Sequence, residues 1–186
     1  MAANPQKPSQ DPSLQKLPPQ SIEAEESILS TILLDNSTLL DVLEILSPED
    51  FYRTAHQKIF SAVADLFAKA EPVDLVTLTN LLRDNDQLEE IGGAAYLARL
   101  VDSVPSAINI QHYARIVRDK SSLRRLIARA NEITRQCYEG GGDLDEVIDF
   151  AEGAIFEISE NKNRTAFHPL NKIIESNIDA LEERQG

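Results

Sequence analysis

Few side chains in this sequence have the type and spacing to do chemistry. Cys137 is the only cysteine, so no internal disulfide can form. At the end of an amphipathic segment it reads as a small apolar packer rather than a nucleophile. His56, His112 and His168 are widely scattered, with neither zinc-ligand spacing nor the local context of a Ser/His/Asp array. His56 follows Thr54 in a first helical turn, which suits a polar surface or capping residue, and Tyr96 beside Gly93 reads as core. No phosphate-cradling loop ending in Gly-Lys-Ser or Gly-Lys-Thr is present. Gly140-Gly141-Gly142 is followed by acids that would repel a phosphate, so it is a hinge or cap. The sequence therefore offers no catalytic, metal or cofactor-binding candidate, and catalysis by this chain is not expected.

The chemistry that remains is electrostatic. Between Arg115 and Arg135 stand seven Lys or Arg against two acids, whereas Glu139 to Glu160 holds eight acids and no Lys or Arg. Both stretches carry apolar residues at helical spacing: Ile110, Tyr113, Val117, then Leu123, Ile127 and Ala130 in the first, and Leu144, Ile148, Ala151 and Ile155 in the second. Together they read as a helical hairpin with oppositely charged arms hinged at the glycines. Such a hairpin has more apolar edge than it can bury alone, and its natural use is pairing with another copy or another protein. Arg124, Arg125, Ile127, Leu144, Ile148 and Ile155 are the interface candidates. The alternative use is a DNA-binding module in which the basic arm grips phosphates. A net charge of −13 and a pI near 4.6 argue against that, because backbone affinity comes mainly from neutralising phosphates with cations.

The elements that must carry these arms are helical throughout. Residues 1–16 are Pro, Gln, Ser and Asn with little to bury, a disordered tail. Ser21 is a candidate N-cap for a helix to about Leu34, with Glu23, Glu25 and Glu26 favoured near its positive end. A short helix over Thr38–Leu46 follows, then a capped turn at Ser47-Pro48-Glu49-Asp50. Thr54 with Gln57 fits a capping box for a helix burying Ile59, Phe60, Val63, Leu66 and Phe67 and ending near Ala70. Asp74 caps a helix bearing Leu75, Leu78, Leu81 and Leu82, and a helix with Tyr96, Leu97 and Leu100 follows Gly93. Pro105 closes this head, 17–107. The hairpin, 108–161, has a first arm over Asn109–Tyr138, about 45 Å long, too long to be wrapped by so small a head. A linker, 162–169, leads to a last helix, 170–186, with Leu170, Ile173, Ile174, Ile178 and Leu181 on one stripe. That stripe either folds back on the hairpin or docks elsewhere, and the polar break before it favours docking. No convincing strand appears, so the fold class is all-α: a compact helical head, a long antiparallel helical hairpin and a C-terminal linker helix. No apolar run reaches membrane-span length and no secretory signal is visible, so a cytoplasmic location is expected.

Read in order, Leu17-Pro18-Pro19-Gln20-Ser21-Ile22-Glu23-Ala24-Glu25-Glu26 and Asp50-Phe51-Tyr52-Arg53, with His56 and Ile59-Phe60, closely resemble the amino-terminal domain of the DnaB-like bacterial replicative helicases. Val73-Asp74-Leu75-Val76-Thr77-Leu78, Ile91-Gly92-Gly93-Ala94-Ala95-Tyr96-Leu97 and Pro105-Ser106-Ala107-Ile108-Asn109-Ile110 continue the likeness in register. It covers about Leu17 to Gly186 and leaves the tail uncovered, and Ser30 stands where relatives often have Gly. The resemblance implies a fragment ending where a RecA-like ATPase, with its ATP and Mg, would begin. It implies a non-catalytic collar that dimerises and closes as a trimer of dimers into a hexamer, receives the carboxy-terminal domain of primase, and lies near the site of loader action. The stripe from Leu170 to Leu181 would be the linker helix that packs on a neighbouring subunit's RecA-like domain. Little direct DNA binding by this fragment is expected.

Overall fold

Capping chemistry sets where the head's helices begin. Asp74 accepts from the Val76 and Thr77 N–H groups at 2.9 and 2.8 Å, and Thr77 Oγ1 accepts from Asp74 N–H, a reciprocal box. Asp50 Oδ2 likewise accepts from Ser47 N–H at 2.9 Å and from the Ser47 hydroxyl at 3.1 Å. The computed structural model describes residues 17–102, 109–139 and 143–163. In order these form α1 (Ile22–Leu34), a 3-10 turn (Asn36–Thr38), α2 (Leu39–Ile45), a 3-10 turn (Pro48–Asp50), α3 (Thr54–Ala68), α4 (Leu75–Asp84), α5 (Gly93–Asp102), α6 (Ile110–Glu139) and α7 (Leu144–Asn163). No strand occurs among the described residues, so the chain is all-α as its periodicity predicts. The tail, Pro105, the three glycines, the linker after Asn163 and the last helix lie outside the described residues.

Several local expectations need correction. Thr54 and Gln57 form no capping box: Arg53 is the N-cap residue, without a side-chain cap bond, and Gln57 Nε2 instead donates to the Phe51 carbonyl at 2.8 Å. Ser21 occupies the N-cap of α1 but makes no side-chain cap bond either. The short helix expected over Thr38–Leu46 is α2, Leu39–Ile45, and it is preceded by a 3-10 turn over Asn36–Thr38 in which Asp35 accepts from Ser37 N–H. Phe67 is 39% exposed rather than buried, being one position past the core-facing Leu66.

The head's core is apolar and closely packed. Ile28, Ile32, Ile59, Phe60, Leu78, Leu82 and Leu97 are completely buried, and the Phe51 and Phe60 rings meet with centroids 4.8 Å apart. Each such side chain stabilises by about 1.5–3 kcal/mol relative to leaving it in water. Ile110, Ala114 and Val117 of α6 belong to the same cluster. The first two turns of the long helix are thus part of the head core, and the rest projects from it. Beyond the turns that hold Arg118, Ser121, Arg124 and Arg125 against the head, α6 packs on α7, whose inward positions Val147, Ala151, Ala154 and Ile158 recur every three or four residues.

Candidate functional site

Two buried carboxylates organise the head and its joint with the hairpin. Glu25, although in the first turn of α1, points inward and is 1% exposed. Its Oε1 accepts from Tyr52 N–H at 2.7 Å, and its Oε2 lies 2.6 Å from His56 Nδ1. His56 Nε2 is in turn 2.6 Å from the Tyr96 hydroxyl. An ionised carboxylate can only accept, so Nδ1 carries a proton toward Glu25, and in the neutral ring Nε2 accepts from the tyrosine O–H. Burial, helped by the charge of Glu26, pushes the Tyr96 hydroxyl above its ordinary range despite the opposing hydrogen bond from Arg53, which keeps it a neutral donor. A carboxylate, an imidazole and a hydroxyl in line have the order of a nucleophilic array. Here the hydroxyl is a phenol and the imidazole is fully buried, so no substrate reaches it. Its role is to tie α1, α3 and α5 together. His56 was expected at the surface or in a cap; instead its position one turn into α3 faces α1, where Glu25 supplies the partner that burial demands.

Asp50 is the second hub and is completely buried. Beyond the bonds from Ser47, Oδ1 accepts from the Ser121 hydroxyl and from Arg125 Nη2, each at 2.8 Å, and Oδ2 from Arg118 Nη1 at 2.8 Å. Arg124 donates to the Asp50 carbonyl at 2.6 Å and to the Pro19 carbonyl at 2.9 Å, with its guanidinium 5.7 Å from the Tyr52 ring centroid. Burial alone would push the Asp50 carboxyl up. The hydrogen bonds from Ser47 and Ser121 and the charges of Arg118 and Arg125 outweigh it and hold the group below its usual range.

The interface candidates divide accordingly. Arg124 and Arg125, expected to face a partner, are engaged inside their own chain because the buried Asp50 requires cations around it. Ile127, Leu144, Ile148 and Ile155 are 49%, 69%, 46% and 58% exposed. The packing stripe of α7 runs one position earlier than the exposed row, with Val147 before Ile148 and Ala154 before Ile155, which leaves Leu144, Ile148 and Ile155 on the outside. Leu123 and Leu126 of α6 join Ile155 and Ile158 of α7 around a shallow groove of about 470 Å³ edged by Asp119, Ser122 and Ser159. The oppositely charged arms are joined within the chain by Arg129 donating to Glu157 at 2.6 Å. Leu170, Ile173, Ile174, Ile178 and Leu181 lie outside the described residues. Sequence reasoning missed Glu25 and Asp50 as hubs. Both were visible only as helix-start acids, and nothing in their spacing distinguishes an acid that caps from one that turns inward.

Against known proteins, the profile of the DnaB-like helicase N terminal domain matches residues 17–119. The replicative DNA helicase DnaB of Geobacillus stearothermophilus is 47% identical over 175 residues, covering 92% of this chain. The chain spans 38% of that relative's length. The crystal structure of the N-terminal domain of DnaB helicase from Mycobacterium tuberculosis is 43% identical with a TM-score of 0.72, covering 76% of this chain and 99% of that one. The N-terminal domain of DnaB helicase from Helicobacter pylori, described together with its interactions with primase, is 26% identical with a TM-score of 0.55 over 62% of this chain and 89% of its own. The chain belongs to the family of DnaB-like helicase N-terminal domains.

Proposed function

We propose that this chain is the non-catalytic collar of a replicative DNA helicase, acting in the cytoplasm at the replication fork. Its hairpin assembles copies into dimers and, through them, a hexamer, and the assembled collar docks primase and a helicase loader. The observation that carries this reading is the apolar edge of the hairpin. Leu123, Leu126 and Ile127 on α6, with Ile148 and Ile155 on α7, remain exposed although their spacing is that of a buried seam. Family membership supports the same reading, and the Helicobacter pylori relative's interactions with primase support primase as a partner. ATP and Mg belong to the ATPase part of the replicative helicase, and the segment carrying Leu170, Ile173, Ile174, Ile178 and Leu181 docks on the RecA-like domain of a neighbouring subunit.

The rival DNA-binding reading loses most of its cations. Of the seven Lys and Arg in the basic arm, Arg118, Arg124 and Arg125 are bound at Asp50, while Arg129 and Arg135 pair with Glu132, Glu157 and Glu139. Two experiments test the proposal. Ile127→Asp with Ile155→Asp is expected to reduce the solution mass to that of a monomer with helix content unchanged; an unaltered mass would remove the hairpin edge as the interface. Calorimetric titration with the carboxy-terminal domain of primase is expected to give a saturable complex. No heat with primase, together with salt-steep DNA affinity, would favour the rival.

A further inference from the structure

A hairpin that assembles copies is useful only if it leaves the head in a fixed direction, and the structure places one carboxylate where that direction is decided. The apolar anchor of α6 on the head ends at Val117. Ser121, one turn on, is the last fully buried residue among those described in the helix, and its partner is Asp50 rather than an apolar surface. From Ser121 to Glu139 the helix continues for roughly 27 Å, so a turn of about 10° at Ser121 would carry its tip through about 5 Å. Apolar surfaces slide over one another at little cost, whereas a carboxylate with both oxygens occupied by charged donors is satisfied in one geometry only.

Asp50 is held in that way from both sides. Ser47 binds it from the head; Arg118, Ser121 and Arg125 bind it from consecutive turns of α6. Arg124 adds a strap from the same helix to the Asp50 and Pro19 carbonyls, reaching the chain that leads into α1. We propose that Asp50 is a conformational joint that fixes the angle between head and hairpin. Through that angle it sets the geometry in which copies associate; this second clause rests on the assembly reading, while the angle itself does not.

The test uses the chain's own cysteine. Cys137 is exposed near the hairpin tip and is the only cysteine in the sequence, and Val76→Cys on α4 supplies a second exposed site on the head. Spin labels on both, in chains diluted with unlabelled protein, report the intramolecular distance by pulsed dipolar spectroscopy. The wild-type background is expected to give one narrow distribution. Asp50→Asn is expected to broaden it about twofold or more with helix content unchanged, and Arg118→Gln with Arg125→Gln to do the same from the other side. A wild-type width in a folded variant of either kind would overturn the proposal, as would a broad distribution in the wild-type background. Loss of folding in both variants would overturn it too, by assigning Asp50 to head stability. Solution mass measured on the same samples separates the readings: a monomer with a narrow distance defeats assembly and leaves the joint standing.

Discussion

The head and the distal hairpin are built from the same amphipathic pattern and treat it in opposite ways. In the head, apolar residues at helical spacing vanish into one cluster, with Ile28, Ile32, Ile59 and Leu97 wholly buried. Beyond Ser121 the same spacing leaves Leu123, Leu126, Ile127, Ile148 and Ile155 in water. Polar groups differ in the same sense. Buried Glu25 and Asp50 have their oxygens occupied by donors from other elements, while the ion pairs of the distal arms, such as Arg135 with Glu139, are exposed. Periodicity thus says that a face is to be buried, and only the third dimension says by what. The head covers its own faces, whereas the hairpin edge stays exposed in the single chain.

The contrast is sharpest in matched truncations. Ile59→Ala or Phe60→Ala should cost about 3–5 kcal/mol in denaturant unfolding, from lost burial and the cavity left behind. The equivalent Ile127→Ala should cost less than about 0.5 kcal/mol in dilute chain, where that side chain has little to lose. A penalty for Ile127→Ala that grows with protein concentration would show its cover to be another copy. An equally large penalty at every dilution would break the comparison.

Next in size is Asp50→Ala, which leaves Arg118 and Arg125 facing each other without their carboxylate. A loss of about 3 kcal/mol is expected by chemical denaturation, with Asp50→Asn milder because Ser121 and Ser47 keep an acceptor. Glu25→Ala, which orphans His56 Nδ1 and Tyr52 N–H, should cost about 2–3 kcal/mol in the same assay. Charge reversal at Arg124 and Arg125 would accordingly disturb the head before it reported on any interface.

A smaller effect depends on pH. The folded-state pKa of Asp50 lies below the ordinary 3.8. Its contribution to stability is therefore complete above that value and is lost as pH falls through the lower folded-state value. Melting curves down through this acid range should converge for wild type and Asp50→Asn. A stability gap that stays constant through that range would remove the carboxylate's charge from the account.

Much of the fold was legible in advance because the signals are local. Asp74, the Ser47–Asp50 turn and the long arms were readable from capping chemistry and from periods of three and four. What was not legible is contact across the chain. Glu25 and His56 are 31 residues apart and Asp50 and Arg125 are 75 apart, and no local pattern announces that such pairs meet. The candidate edge shows both sides of this limit. Ile127, Ile148 and Ile155 were found by periodicity, while Arg124 and Arg125 on the same basic arm were drawn inward by a carboxylate that read as a helix-start residue.

The most direct test of the central claim, that the hairpin edge is covered by another copy, is the mass of the unaltered chain by light scattering over a wide concentration range. A mass rising from monomer to dimer, and to multiples of the dimer up to a hexamer, is expected. A strict monomer at the highest concentration would contradict it.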